Sequence, residues 1–144
     1  KDVAKAKIKE LRIEGREKAL ERFDKAVERM TDLKDKIVKR MNALKLKGVD
    51  VTDAEGFIAT AETKLNAAKA EIIKANTLLA TSISELTLEN KTKLRTMTQE
   101  IQTLIKETHN ALKNSMKALK DAVKMKIEAE KNIIKELRED NSNQ

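Results

Sequence analysis

His109, within Glu107-Thr108-His109-Asn110, is the chain's single histidine, the side chain best suited to proton transfer or metal binding near neutral pH. No second ligand stands three or four residues away to share a metal with it, since Glu107 and Lys113 do not complete a set. The closest carboxylate pairs, Asp32 with Asp35 and Glu128 with Glu130, are interleaved with lysines and read as solvated helix faces. Cysteine is absent, which removes disulfides, thiolate metal sites and cysteine nucleophiles. Met30, Met41, Met97, Met116 and Met125 fall on or beside apolar stripes, as core filler first and an adaptable contact surface second. Asn90-Lys91-Thr92 matches the glycosylation sequon, a pattern common by chance. No catalytic, cofactor-binding or metal-binding constellation emerges. The expectation is a non-enzymatic protein with no cofactor and no small-molecule substrate.

The elements around these residues are easier to read. Charged residues make up 38% of the chain and aromatics only 1%, at Phe23 and Phe57. Burial must therefore come from Leu, Ile, Val, Met and Ala in stripes, the composition of long amphipathic helices or coiled coils. Three glycines and no proline leave few places to turn. No apolar run approaches the 18 or so residues that would span a bilayer. The chain begins at Lys1 rather than Met, which is compatible with removal of a signal peptide.

Periodicity divides the chain into three helices. Leu20, Phe23, Val27, Met30, Ile37, Met41 and Leu44, flanked by Leu33 and Val38, place a helix over about 2–47. Upstream of Gly15 the stripe changes phase, to Ala4, Ile8 and Leu11. Lys45-Leu46-Lys47-Gly48 is a helix stop. Asp50 or Thr52 is the expected cap of the second helix, and Thr52 with Glu55 fits a capping box. This second helix, about 53–86, repeats a large residue every seven positions: Val51, Ile58, Leu65, Ile72, Leu79 and Leu86. Small residues alternate with them at Ala54, Ala61, Ala68, Ala75 and Ser82, which lets neighbouring backbones approach closely. Continuing in sevens past Leu86 meets Lys93, Glu100 and Glu107, all charged. The next stripe instead uses Leu94, Met97, Ile101, Leu104 and Ala111, widened by Ile105, Leu112, Met116, Leu119 and Val123. A phase slip of one residue rotates the buried face by about 100°. It predicts a short turn at 87–90 with Thr87 or Asn90 as cap, a single continuous helix being the alternative. The third helix then covers about 90–139, ahead of a frayed tail at 140–144.

The expected fold is all-α, a single domain over 1–144: an elongated up-down-up three-helix bundle, or antiparallel coiled coil, with overhanging outer helices. At 1.5 Å per residue the helices span about 70, 50 and 75 Å, so the middle one covers only part of its neighbours. Residues 1–13 overhang one end with Ile8 and Leu11. Residues 126–139 overhang the other with Ile127, Ile133, Ile134 and Leu137. These six are the candidate assembly interface, and the expected partner is a further copy of the chain.

The net charge of +7 is unevenly shared. Residues 1–47 carry 16 basic and 9 acidic groups, residues 48–88 carry 3 and 6, and residues 89–144 carry 12 and 9. Acids interspersed with bases, without aromatic platforms or a Gly-rich loop, argue against nucleic acid. Peripheral contact with a membrane or an acidic polymer is a weaker option, because the apolar faces are patterned for partner helices. Two functions follow. One is a structural protein that associates through its overhangs, head to tail into a filament. The other is a soluble coiled-coil binding or chaperone-like module for an anionic or unfolded partner.

Residues 20–75 also carry a resemblance. Glu21-Arg22-Phe23-Asp24-Lys25-Ala26-Val27-Glu28-Arg29-Met30, the turn Lys47-Gly48-Val49-Asp50-Val51-Thr52-Asp53-Ala54 and the Ala/Lys heptads resemble uncharacterised Lys/Ala-rich coiled-coil proteins of uncultured small-genome bacteria. The export signals frequent in that group imply an extracellular or cell-envelope location, with a cytoplasmic one still open. The resemblance implies no activity and assigns no functional residue.

Overall fold

The computed structural model describes residues 2–81 and 86–142, apart from the side chains at positions 9 and 11–13. Three helices make up the regular structure of the described residues: α1 (Asp2–Leu46), α2 (Thr52–Thr81) and α3 (Leu88–Ser142). All three pack against one another, and the α2–α3 contact is the most extensive. The chain is an all-α bundle. Among the described residues no helix is long and apolar enough to cross a membrane.

α1 is continuous through Gly15, despite the change of stripe phase there. It closes on a Schellman motif. Val49 N–H donates to Leu44 O (3.0 Å) and Gly48 N–H to Lys45 O (3.0 Å), with Gly48 at a φ of 82°. That positive φ is why glycine stands at this position.

The start of α2 differs from a capping box. Glu55 N–H donates to Val51 O (2.9 Å), so Val51 is the last residue before the helix. Asp50 Oδ1 accepts from Thr52 N–H (3.1 Å) and from the Thr52 hydroxyl (2.6 Å). The turn is thus built on an aspartate two residues upstream. Glu55 does not reach back to the helix start, because its carboxylate pairs across the turn with Lys45 (3.2 Å).

The second boundary also shifts. α2 is described to Thr81, and Leu86, the expected end, belongs to no helix. Positions 82–85 lie outside the described residues, Ser82 of the small series among them, and Thr87 belongs to no helix. α3 starts at Leu88 rather than about 90. Thr87 is its cap, accepting Asn90 N–H on Oγ1 (3.1 Å) and Lys91 N–H on its carbonyl (2.9 Å). α3 continues to Ser142, so positions 140–142 of the expected frayed tail are helical. Charged and polar residues with good helix propensity (Lys135, Glu136, Arg138, Glu139) carry it that far.

The seam of α2 holds throughout the described span. Ala54, Ile58, Ala61, Leu65, Ala68, Ile72, Ala75 and Leu79 are its buried residues. A cross-helix bond shows how close the helices come at this seam: the Ser115 hydroxyl of α3 donates to the Ala54 carbonyl of α2 at 3.0 Å. A serine side chain is one methylene long, so that bond requires neighbouring backbones. α3 answers with a seven-residue series of its own, Leu94, Ile101, Thr108 and Ser115, all buried. Thr108, fully buried, hides its hydroxyl by donating to Leu104 O (2.7 Å) within its own helix.

The α1 series is Leu20, Val27, Lys34 and Met41, with a lysine where an apolar residue belongs. Lys34 keeps its ammonium 3.9 Å from Glu62 of α2 and 3.7 Å from Asp35. The core divides near that level. One cluster gathers Ile37, Met41, Val51, Ile58 and Leu112, and the other Leu20, Val27, Leu65, Ile72 and Ile101.

Enlarging the small seam positions should force the helices apart. Ala68→Leu is expected to destabilise the bundle by about 1–3 kcal/mol in urea unfolding. The exposed Ala59→Leu is expected to change stability by less than about 0.5 kcal/mol.

Candidate functional site

The residues with chemical potential sit apart from one another. His109 is exposed on α3. Asp32, Asp35, Glu128 and Glu130 are also exposed, and Glu130 pairs with Lys126 one turn back (3.4 Å). Among the described residues no group of three His, Asp or Glu side chains is placed to hold a metal ion. Met41 is buried and Met30 and Met97 are half-buried, while Met116 and Met125 are exposed. Asn90 of the sequon lies in the first turn of α3.

The two overhangs are present, at opposite ends of the molecule. α1 is 45 residues long, α2 30 and α3 55. At about 1.5 Å per residue this gives rods of roughly 68, 45 and 83 Å. Among the described residues the first buried side chain of α1 is Leu20, in one cluster with Leu79 and Leu94. At the other end the last buried residue of α3 is Leu119, and every residue from 127 to 142 is exposed. Ile127, Ile133, Ile134 and Leu137 are 45–58% exposed. At 100° per residue these four fall within about 120° of arc, one apolar face with no partner in the molecule. Ile8 lies on the opposite overhang, 49% exposed. The side chain of Leu11 is outside the described residues.

A groove beyond the predicted residues opens on the side of the α2–α3 hairpin away from α1. It begins between the first turns of α2 and residue 114 of α3, then runs past the α1–α2 turn to Ala129. Ala118, Ala122 and Ala129 form its floor, with Phe57 and Met125 along it. Asp50, Asp53 and Asp121 stand at its edges beside Lys117 and Lys126. No α1 residue contributes. The sequence carried one signal for it: Ala118, Ala122, Met125 and Ala129 recur at three- and four-residue spacing, off the main stripe.

Electrostatically the groove is anchored by Asp50. The Thr52 hydroxyl, and after it the Thr52 backbone amide, hold its carboxyl below the usual carboxylate range. Among the described residues, Asp53 and Asp121 make no ion pair, so their charge faces outward.

No family model matches the chain, and no curated protein or solved structure matches it either.

The depressed Asp50 carboxyl makes a pH prediction. Its folded-state pKa lies below the unfolded one, so its contribution is complete above the unfolded value and is lost as pH falls through the folded one. Melting temperature is expected to be higher in the native chain than in Asp50→Asn at neutral pH. The gap should narrow on acidification below about pH 4.

Proposed function

We propose that this is a non-enzymatic structural protein whose copies associate head to tail through the overhangs of α1 and α3. The observation that carries the reading is the pair of overhangs at opposite ends, whose described side chains are exposed and include Ile8 on one and Ile127, Ile133, Ile134 and Leu137 on the other. α1 and α3 run in the same direction, so the α3 overhang of one copy and the α1 overhang of the next extend toward each other along one axis. A contact between two different surfaces does not close on itself unless the rotation between copies brings it round, and it otherwise propagates into a filament. Exposed Ile, Leu and Met along a helical rod suit association with another helix.

The resemblance to exported Lys/Ala-rich coiled-coil proteins supports an extracellular or cell-envelope setting for such an assembly. A second reading has its own support in exposed Met116 and Met125 and in the basic α1: a binding or chaperone-like module for an anionic or unfolded partner.

Light scattering over a concentration series tests the first reading. The mean mass of the full chain is expected to rise with concentration, with elongated particles in negative stain. Ile133→Glu with Leu137→Glu, both on the exposed α3 face, should hold it at the monomer mass without loss of helical signal. A full chain that stays monomeric throughout overturns assembly and turns attention to polyanions and unfolded clients.

A further inference from the structure

We propose that the groove between α2 and α3 at the α1–α2 turn receives the first 15 residues of α1 from a second copy, which rests on the head-to-tail reading and specifies its docking site. Length is the first argument. The groove follows α3 from residue 114 to 129, about 22 Å, and the α1 overhang from residue 2 to 15 is about 20 Å long. Direction is the second. Inside one molecule α1 lies parallel to α3 and antiparallel to α2. A copy placed beyond this end presents its α1 overhang in that same sense, as a fourth helix on the free side of the hairpin.

Charge is the third argument. Residues 1–15 carry five basic groups and three acidic ones. The groove offers Asp50, Asp53 and Asp121, while one of its two lysines, Lys126, is already paired to Glu130 at 3.4 Å. Pairing two α3 overhangs instead would bring like charge together, since residues 127–142 hold five acidic groups and three basic ones. The floor is the fourth argument. Alanines admit a close helix, as the alanines of α2 do inside the bundle, and Met125, 70% exposed, and Phe57, 37% exposed, gain cover.

With Ile8 level with Ala122, residues 16–28 of the incoming copy run beside residues 130–142 of α3.

The chain has no cysteine, so disulfide trapping reports the register without background. Full-length Ile8→Cys is mixed with full-length Ala122→Cys or with full-length Ile134→Cys under mild oxidation. The expected result is a covalent dimer between positions 8 and 122, with little between 8 and 134. Asp53→Lys with Asp121→Lys should lower its yield several-fold at low salt, and less at high salt. A dominant 8–134 product overturns the groove while leaving head-to-tail association in place. A dominant 8–8 product overturns both, because it reports a symmetric contact. No product, together with a monomeric mass by light scattering, also removes both.

Discussion

The close approach of α2 and α3 is the constraint on which the rest of the molecule depends. Alanines alternate with large aliphatic residues along α2, and the Ser115–Ala54 bond requires the facing backbones to be neighbours at that point. A seam of this kind gains from dispersion between backbones and small side chains rather than from bulky aromatics, which suits a chain with two phenylalanines. It also sets the roles of the helices. α2 and α3 form a tight hairpin, and α1 lies in one of its two grooves, burying Leu20, Val27, Ile37, Met41 and little else fully. The other groove stays open.

Helix type, order and seam were legible in the sequence because periodicity records which face is buried. Ala54 to Leu79 can be read directly as the core of α2. The turn at Gly48 was equally plain, since a positive φ and the end of a helix both select glycine. The details of capping were not. A capping box and an aspartate turn use the same residue types within a few positions, and the choice between them depends on where Glu55 finds a cation.

The α3 core was only half legible for a related reason. Thr108 and Ser115 are polar by type, so an apolar stripe passes over them. Their hydroxyls are satisfied, one by its own helix and one by α2, and that lets them occupy seam positions. Extending the sevens from Leu94 and Ile101 would have found both. The groove lay deeper still, because it is made by residues of two helices that are far apart in sequence. Asp53 and Asp121 look like ordinary surface charges until the hairpin brings them to one trough. The overhangs, by contrast, follow from arithmetic on helix lengths, and the α3 overhang is longer than expected because α3 runs on to Ser142.

Lys34 gives the rod a mechanical character. It interrupts the α1 series between Val27 and Met41, and the apolar contacts separate there into two blocks. Bending stiffness in a helical bundle comes from packed side chains resisting shear between helices. Met30 packs against both blocks, and the α2 seam passes that level unbroken at Ala61 and Leu65. The lysine therefore costs α1 one seam contact while leaving the α2–α3 hairpin continuous. The hairpin carries the length of the rod, and α1 is the helix that is pinned in two places.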